Sequence, residues 1–93
     1  MIKGVTEKEY SIIKNILNNY TGEFYAYGSR VNGDFSALSD LDILVKSDNY
    51  DRILPELKQR FDMSSLPYVV NFTNYSSIDK KFYKLIENSL VKI

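Results

Sequence analysis

The chain has 93 residues, of which 44% are hydrophobic, and its twelve basic and twelve acidic side chains give a formal net charge of zero. This balance argues against a nucleic-acid-binding protein that depends on a generally basic surface, and the length is that of one domain covering residues 1–93. The sequence contains neither cysteine nor histidine, which excludes disulfides and thiolate chemistry and removes the commonest general base and zinc ligand. Any metal site is therefore built from oxygen ligands, which favours Mg²⁺, Mn²⁺ or Ca²⁺.

Hydrophobic periodicity and turn residues divide the chain into alternating helices and strands. Thr6 and Glu9 form a capping-box pattern at the start of the first helix, and Gly22 marks its end. Pro55 lies early in a later helix, where a proline is tolerated, and Pro67 suits the start of a strand. In chain order, we predict a helix at 6–20, a strand at 24–27, a loop at 29–39 with one helical turn, a strand at 40–47, a helix at 48–61, a strand at 66–75, a helix at 76–90 and a short closing strand at 91–93.

This order of elements predicts a small α/β (α+β) domain, with a mixed β-sheet and helices packed on one side of it. No apolar run approaches the roughly 20 residues of a membrane-spanning helix. The first ten residues also lack the long apolar segment of a signal peptide. We therefore expect no membrane partner and a cytoplasmic location.

Asp40 and Asp42 are the first candidates for chemistry, because residues two apart on a strand project from the same face. Leu41 and Ile43 point to the opposite face, as expected for a core. Two neighbouring carboxylates repel each other, and a divalent cation converts that repulsion into ligation. Two other interpretations stay open. One is a solvated pair of acids at a strand end, the usual meaning of an isolated Asp-x-Asp. The other is a calcium loop, although the EF-hand spacing is absent.

Gly28 and Ser29 follow the preceding strand and favour a phosphate-binding turn. A glycine lets the backbone approach an anion closely, and the serine hydroxyl and adjacent amides can donate hydrogen bonds to phosphate oxygens. Gly-Ser and Asp-x-Asp are each weak signals alone. Their joint occurrence at the ends of two successive strands is much more specific, and it predicts a phosphate site beside a metal site.

The spacing of these residues resembles a known motif. Gly28-Ser29, ten residues and then Asp40-Leu41-Asp42 resemble the Gly-Ser-x₁₀-Asp-x-Asp pattern of the DNA polymerase β-like nucleotidyltransferase superfamily. The whole run YGSRVNGDFSALSDLDILV resembles its minimal nucleotidyltransferase branch. The resemblance implies a polymerase β palm-like nucleotidyltransferase fold, ATP as substrate, and two Mg²⁺ (or Mn²⁺) ions held by Asp40 and Asp42. It also implies a nucleotide-binding set, which comprises Gly28, Ser29 and Arg30.

Asn71 departs from the superfamily pattern. The superfamily places a third carboxylate here, which completes the site of the metal that activates the attacking hydroxyl. An asparagine oxygen can ligate a hard cation but brings no charge. No acid lies between Asp62 and Asp79, so the implied catalytic set is Asp40, Asp42 and Asn71. Three interpretations stay open: an enzyme with reduced activity, a binding protein that has lost catalysis, and a substitution engineered to trap a complex.

Members of this branch are commonly encoded beside a HEPN-domain protein. The resemblance therefore implies an antitoxin that transfers AMP from ATP to a tyrosine of a HEPN ribonuclease toxin. The alternative, which Asn71 favours, is a catalytically impaired binding module that neutralises a HEPN partner by complex formation. A component of a small-molecule transferase, such as an aminoglycoside-modifying enzyme, is a weaker hypothesis because those enzymes generally carry a second domain. Direct nucleic-acid binding is not expected.

Overall fold

The computed structural model describes residues 2–93, which form helices, strands and short 3₁₀ turns. The helices are α1 (Glu7–Leu17), α2 (Ser29–Asn32), α3 (Tyr50–Asp62) and α4 (Lys80–Ile86). The strands are β1 (Glu23–Tyr27), β2 (Leu41–Lys46), β3 (Val70–Asn74) and β4 (Val91–Lys92). The 3₁₀ turns are Tyr75–Ser77 and Glu87–Ser89. Within residues 2–93, no helix combines the length and the hydrophobicity needed to span a membrane.

The strands form one mixed sheet in the order β3-β2-β1-β4. β1 runs antiparallel to β2 and to β4. β2 and β3 are parallel and are connected through α3, because parallel neighbours need a crossover connection. The register sets Tyr27 of β1 opposite Asp42 and sets Asn71 of β3 beside Asp42. Asp42 therefore has a neighbouring strand on each side.

The first face of the sheet forms the main core. Leu41, Ile43 and Val45 alternate along β2 and are fully buried, as the two-residue period of a strand predicts when one face is covered. They belong to the same apolar cluster as side chains of α1 and α3, including Ile13 and Leu57. The alternation leaves Asp42 on the other face, away from this core.

A helix also covers part of the second face. Leu44 is fully buried there and packs with Tyr27 and with Ile86 of α4. The prediction of a small mixed sheet with helices is confirmed. The prediction that the helices pack on one side of the sheet holds for α1 and α3, but α4 packs on the other side. Tyr25, Tyr27 and Leu44 give the second face an apolar surface, and α4 removes that surface from water.

Most predicted elements differ from those observed by a few residues at their ends, and the strand at 66–75 and the helix at 76–90 differ most. The helix predicted at 76–90 begins only after Asp79, whose carboxylate accepts a hydrogen bond from the Phe82 main-chain N–H at 3.2 Å. Asp79 is thus the N-cap residue, and the cap fixes the start of α4. The strand predicted at 66–75 is reduced to Val70–Asn74. The capping box at Thr6 and Glu9 is confirmed, with both of its hydrogen bonds at 3.1 Å.

Arg30, in α2, fastens the loop that leads into β2. Its side chain is only 4% exposed, and its Nε donates to the Ser39 carbonyl oxygen at 2.7 Å. Nη1 donates to the Gly4 carbonyl oxygen at 2.6 Å, and Nη2 donates to that of Ala37 at 3.1 Å. The guanidinium also lies 3.8 Å from the centre of the Tyr68 ring, a cation–π contact that helps to offset its lost hydration. The loop is thereby tied to the N-terminal segment and to the residues before β3.

This geometry does not support the prediction that Arg30 binds the nucleotide. Its guanidinium nitrogens are engaged by main-chain oxygens, and the Gly4 N–H donates in return to the Arg30 carbonyl oxygen at 2.9 Å. A Cβ at Gly4 would lie 2.8 Å from the Arg30 Cβ, so the two segments are in close contact. Arg30 follows Ser29 in sequence, but the helical turn Ser29–Asn32 directs its side chain to the N-terminal segment instead.

Leu44 and Leu85 provide a matched test of how α4 is anchored. Leu44 is fully buried on the second face, whereas Leu85 is 82% exposed on α4. Leu44→Ala should lower the free energy of unfolding by about 2–5 kcal/mol, because it leaves a cavity beneath α4. Leu85→Ala should change it by about 0.5 kcal/mol or less. Urea denaturation of both variants measures the difference, and equal effects would contradict the packing of α4 described above.

Arg30 should be required for the stability of the folded protein, because its side chain holds the loop that leads into β2. Arg30→Ala leaves the carbonyl oxygens of Gly4, Ala37 and Ser39 without these donors and should lower the free energy of unfolding by about 2–4 kcal/mol. Arg30→Lys should recover little of that loss, because an ammonium cannot reproduce the fan of guanidinium N–H groups. Arg52→Ala, at an exposed position of α3, is the control and should behave like the parent protein in urea denaturation. An Arg30→Ala protein as stable as this control would show that the loop does not depend on Arg30.

Candidate active site

Most of the predicted site residues lie at one end of the sheet: Gly28, Ser29, Asp40, Asp42 and Asn71. Because β1 and β2 are antiparallel, the Gly-Ser turn after β1 meets the start of β2. Because β2 and β3 are parallel, the start of β3 reaches the same end. Arg30 is the exception, since its side chain belongs to the loop contacts described above.

Gly28 lies directly against the carboxylate of Asp42. Its φ of +90° is a backbone conformation that side chains with a Cβ rarely adopt. A Cβ at this position would lie 2.5 Å from Oδ2 of Asp42, which is an overlap rather than a contact. Glycine is therefore required both by the backbone angle and by the space. An anion bound at this turn and a cation bound by Asp42 would consequently be neighbours.

Asn71 connects the two carboxylates. Its Nδ2 donates to Oδ2 of Asp40 at 2.9 Å and to Oδ1 of Asp42 at the longer distance of 3.4 Å. Asp40 and Asn71 are exposed, whereas Asp42 is half-buried. Burial raises the pKa of Asp42, the hydrogen bond from Asn71 lowers it, and the charge of Asp40 raises it again. The strand register and this contact place Asn71 beside Asp42, as expected from the sequence.

Tyr27, which the strand register sets opposite Asp42, forms a contact with Thr73 that sequence reasoning did not identify. The Tyr27 hydroxyl lies 2.8 Å from Oγ1 of Thr73, and the Tyr27 ring packs edge-on against Phe82 with 5.9 Å between ring centres. Burial raises the pKa of the Tyr27 phenol, so this hydroxyl is neutral at physiological pH. The available signal was the two-residue period of β3, which puts Thr73 on the same face as Asn71. This contact joins β1 to β3 on the face of the sheet from which Asp42 projects.

The donor set fits one divalent cation that arrives with a triphosphate. Residues 2–93 contain no group of three or more histidine, cysteine, aspartate or glutamate side chains placed to hold a metal ion. In proteins, Mg²⁺ is commonly held by one or two carboxylates, with water and substrate phosphates as the remaining ligands. Asp40 and Asp42 match that arrangement, and the glycine at position 28 leaves room beside them. The two ions that the sequence resemblance implied at Asp40 and Asp42 stay a prediction.

Two comparisons with known proteins agree with this geometry. Residues 11–93 match the protein family described as Polymerase beta, Nucleotidyltransferase. The chain is also similar to the probable protein adenylyltransferase MntA of Haemophilus influenzae, with 30% identity over 93 residues that cover 96% of this chain and 82% of that protein. The family match includes the Gly-Ser turn, both aspartates and Asn71. The chain therefore belongs to the polymerase β nucleotidyltransferase family.

Proposed function

We propose that this protein transfers AMP from ATP to a hydroxyl group of another protein. The observation that carries the proposal is the meeting of Gly28 with Asp42 at the end of the sheet where Asp40 also lies. This places a turn suited to phosphate beside two carboxylates suited to a divalent cation. The relative from Haemophilus influenzae is named as a probable protein adenylyltransferase, which supports AMP as the transferred group and a protein as the acceptor.

Each residue of the site has a separate role in this reaction. The Gly28 backbone lets a phosphate approach the main chain, and the Ser29 hydroxyl donates a hydrogen bond to a phosphate oxygen. Asp40 and Asp42 would hold Mg²⁺ or Mn²⁺, which when bound neutralises phosphate charge and makes the acceptor hydroxyl more acidic. In the transfer itself, the acceptor oxygen forms a bond to the α-phosphorus, the bond to pyrophosphate breaks, and the hydroxyl proton is released. Such a displacement needs positioning and charge neutralisation, and it needs neither histidine nor cysteine.

For the acceptor, we propose a tyrosine of a HEPN-domain ribonuclease toxin encoded near this protein, with this chain as the antitoxin. The support is the resemblance of the Gly28–Asp42 run to the minimal nucleotidyltransferase branch. In this assignment the protein acts in the cytoplasm and needs ATP and Mg²⁺ or Mn²⁺. It does not need to bind nucleic acid directly, which agrees with its formal net charge of zero.

The second candidate function is a binding module that neutralises the same partner without transferring AMP. The observation that favours it is Asn71, whose amide occupies the place of a carboxylate and donates to both aspartates. An uncharged side chain there would hold a divalent cation less strongly than a carboxylate would. The two functions differ in one measurable product, the AMP attached to the partner.

Asp42→Asn tests the assignment of the site. ATP labelled on its α-phosphate is incubated with Mg²⁺, the protein and the product of the neighbouring gene, and label on the partner is measured. Transfer should fall on the order of a hundredfold or more, because one of the two charges that hold the cation is gone. Calorimetry should show a matching loss of Mg²⁺-dependent ATP affinity. Asp62→Asn, at an exposed position near the end of α3, is the control, and an Asp42→Asn protein as active as this control would refute the site.

Asn71→Asp separates the two candidate functions. The substitution adds a third carboxylate beside Asp42, and single-turnover AMP transfer should rise by about tenfold to a thousandfold, or roughly 1.4–4 kcal/mol of transition-state stabilisation. Affinity for ATP should change much less, since Asp40 and Asp42 already hold the cation that accompanies it. Equal and fast rates in both proteins would show that the third carboxylate is dispensable. No transfer by either protein, together with a tight complex, would favour the binding module.

A further inference from the structure

Asn71 presents hydrogen-bond donors, and not an oxygen, to the two aspartates. Its Nδ2 lies 2.9 Å from Oδ2 of Asp40 and 3.4 Å from Oδ1 of Asp42. An ionised carboxylate only accepts hydrogen bonds, so the NH₂ end of the amide is the end that must face it. Asn71 in this orientation is therefore not a third oxygen ligand. It occupies, with N–H groups, the space in which a cation shared by Asp40 and Asp42 would compete for the same oxygens.

The backbone holds Asn71 in this place. The parallel register pairs Asn71 with Asp42, and the next residue on the same face, Thr73, contacts Tyr27 of β1 through the 2.8 Å hydroxyl pair. The start of β3 is thus fixed relative to β2 and β1. Rotation of its side chain can move the amide away from the carboxylates while the strand register is kept.

We propose that Asn71 makes the binding of a divalent cation depend on bound nucleotide, a proposal that rests on the proposed function. In the nucleotide-free protein, its amide satisfies Asp40 and Asp42 and relieves their repulsion without a cation, so that a free divalent ion binds weakly. A cation that arrives with a triphosphate brings oxygen ligands and negative charge of its own, and it displaces the amide. The nucleotide and the cation therefore strengthen each other's binding by the same factor.

A competing amide and a ligating oxygen at Asn71 predict opposite effects of its truncation on Mn²⁺ affinity. If Asn71 ligated the cation through its oxygen, truncation to alanine would weaken binding. If its amide competes with the cation, Asn71→Ala should bind Mn²⁺ more tightly in the absence of nucleotide. The expected gain is about tenfold, the scale of one hydrogen bond to a charged acceptor. Saturating ATP should reduce this gain, because the amide is already displaced.

The experiment is a titration of the free protein with Mn²⁺ alone, in which the electron paramagnetic resonance signal reports unbound ion. The proteins compared are the parent, Asn71→Ala, Asp42→Asn and the control Asn15→Ala, which makes the same truncation at an exposed position of α1. Asn71→Ala should bind about tenfold more tightly than the parent and the control. Equal affinity, or weaker binding by Asn71→Ala, would overturn the proposal. If Asn71→Ala does not fold, as judged by its thermal transition in chelator, Asn71→Val takes its place with the same expected gain.

Asp42→Asn distinguishes a failure of this proposal from a failure of the proposed function. Loss of Mn²⁺ binding in Asp42→Asn, combined with unchanged binding in Asn71→Ala, would leave the cation site in place and refute only the competing amide. Mn²⁺ binding in Asp42→Asn as tight as in the parent would show that the ion does not bind at this site. That result would overturn the proposed function and this proposal together.

Discussion

The arrangement of the candidate site follows from two carboxylates that lie close together at the start of one strand. Asp40 directly precedes β2 and Asp42 lies on it, and both contact the amide of Asn71. Leu41 and Ile43 anchor the same strand in the core. Like charges in such proximity are unfavourable, and the partial burial of Asp42 adds a desolvation cost that raises its pKa. The neighbouring elements supply what this pair needs. β3 supplies the amide of Asn71, and the turn after β1 supplies a glycine that leaves space beside Asp42.

Two contacts outside the site keep these carboxylates in register. The Arg30 side chain holds the Ser39 carbonyl, one residue before Asp40, through a 2.7 Å hydrogen bond. The hydroxyl pair of Tyr27 and Thr73 joins β1 to β3 beneath Asp42. Arg30 is a buried cation without a carboxylate partner among its described contacts, and it is stabilised by carbonyl dipoles and an aromatic face. The loop is therefore fixed without a further negative charge near the candidate site.

The sequence was most informative where one local rule determines the outcome. The two-residue period of a strand was sufficient to place Asp40 and Asp42 together, and the capping pattern was sufficient to start α1 at Thr6. These two predictions needed no knowledge of how distant segments pack. The contact between Asn71 and Asp42 followed instead from the family resemblance.

The sequence was less informative where the outcome depends on tertiary packing. Arg30 follows Ser29, and proximity in sequence suggested proximity to phosphate, but one helical turn sends its side chain to Gly4. The apolar residues of the last helix showed that α4 has a buried face, yet not that this face meets Leu44 on the second side of the sheet. Periodicity reports that a surface is buried, and only the fold decides which surface buries it.

Asn71 shows how one atom type changes what this site needs in order to be stable. An aspartate at position 71 would place a third negative charge beside Asp40 and Asp42, and the nucleotide-free protein would then depend on bound cations to remain unstrained. An asparagine instead donates to both carboxylates, so that the repulsion is relieved by the protein itself. The same amide would hold a divalent cation less strongly than a carboxylate, because it brings no charge. Relief of the repulsion without a cation and strength of cation binding are therefore opposed at this one position.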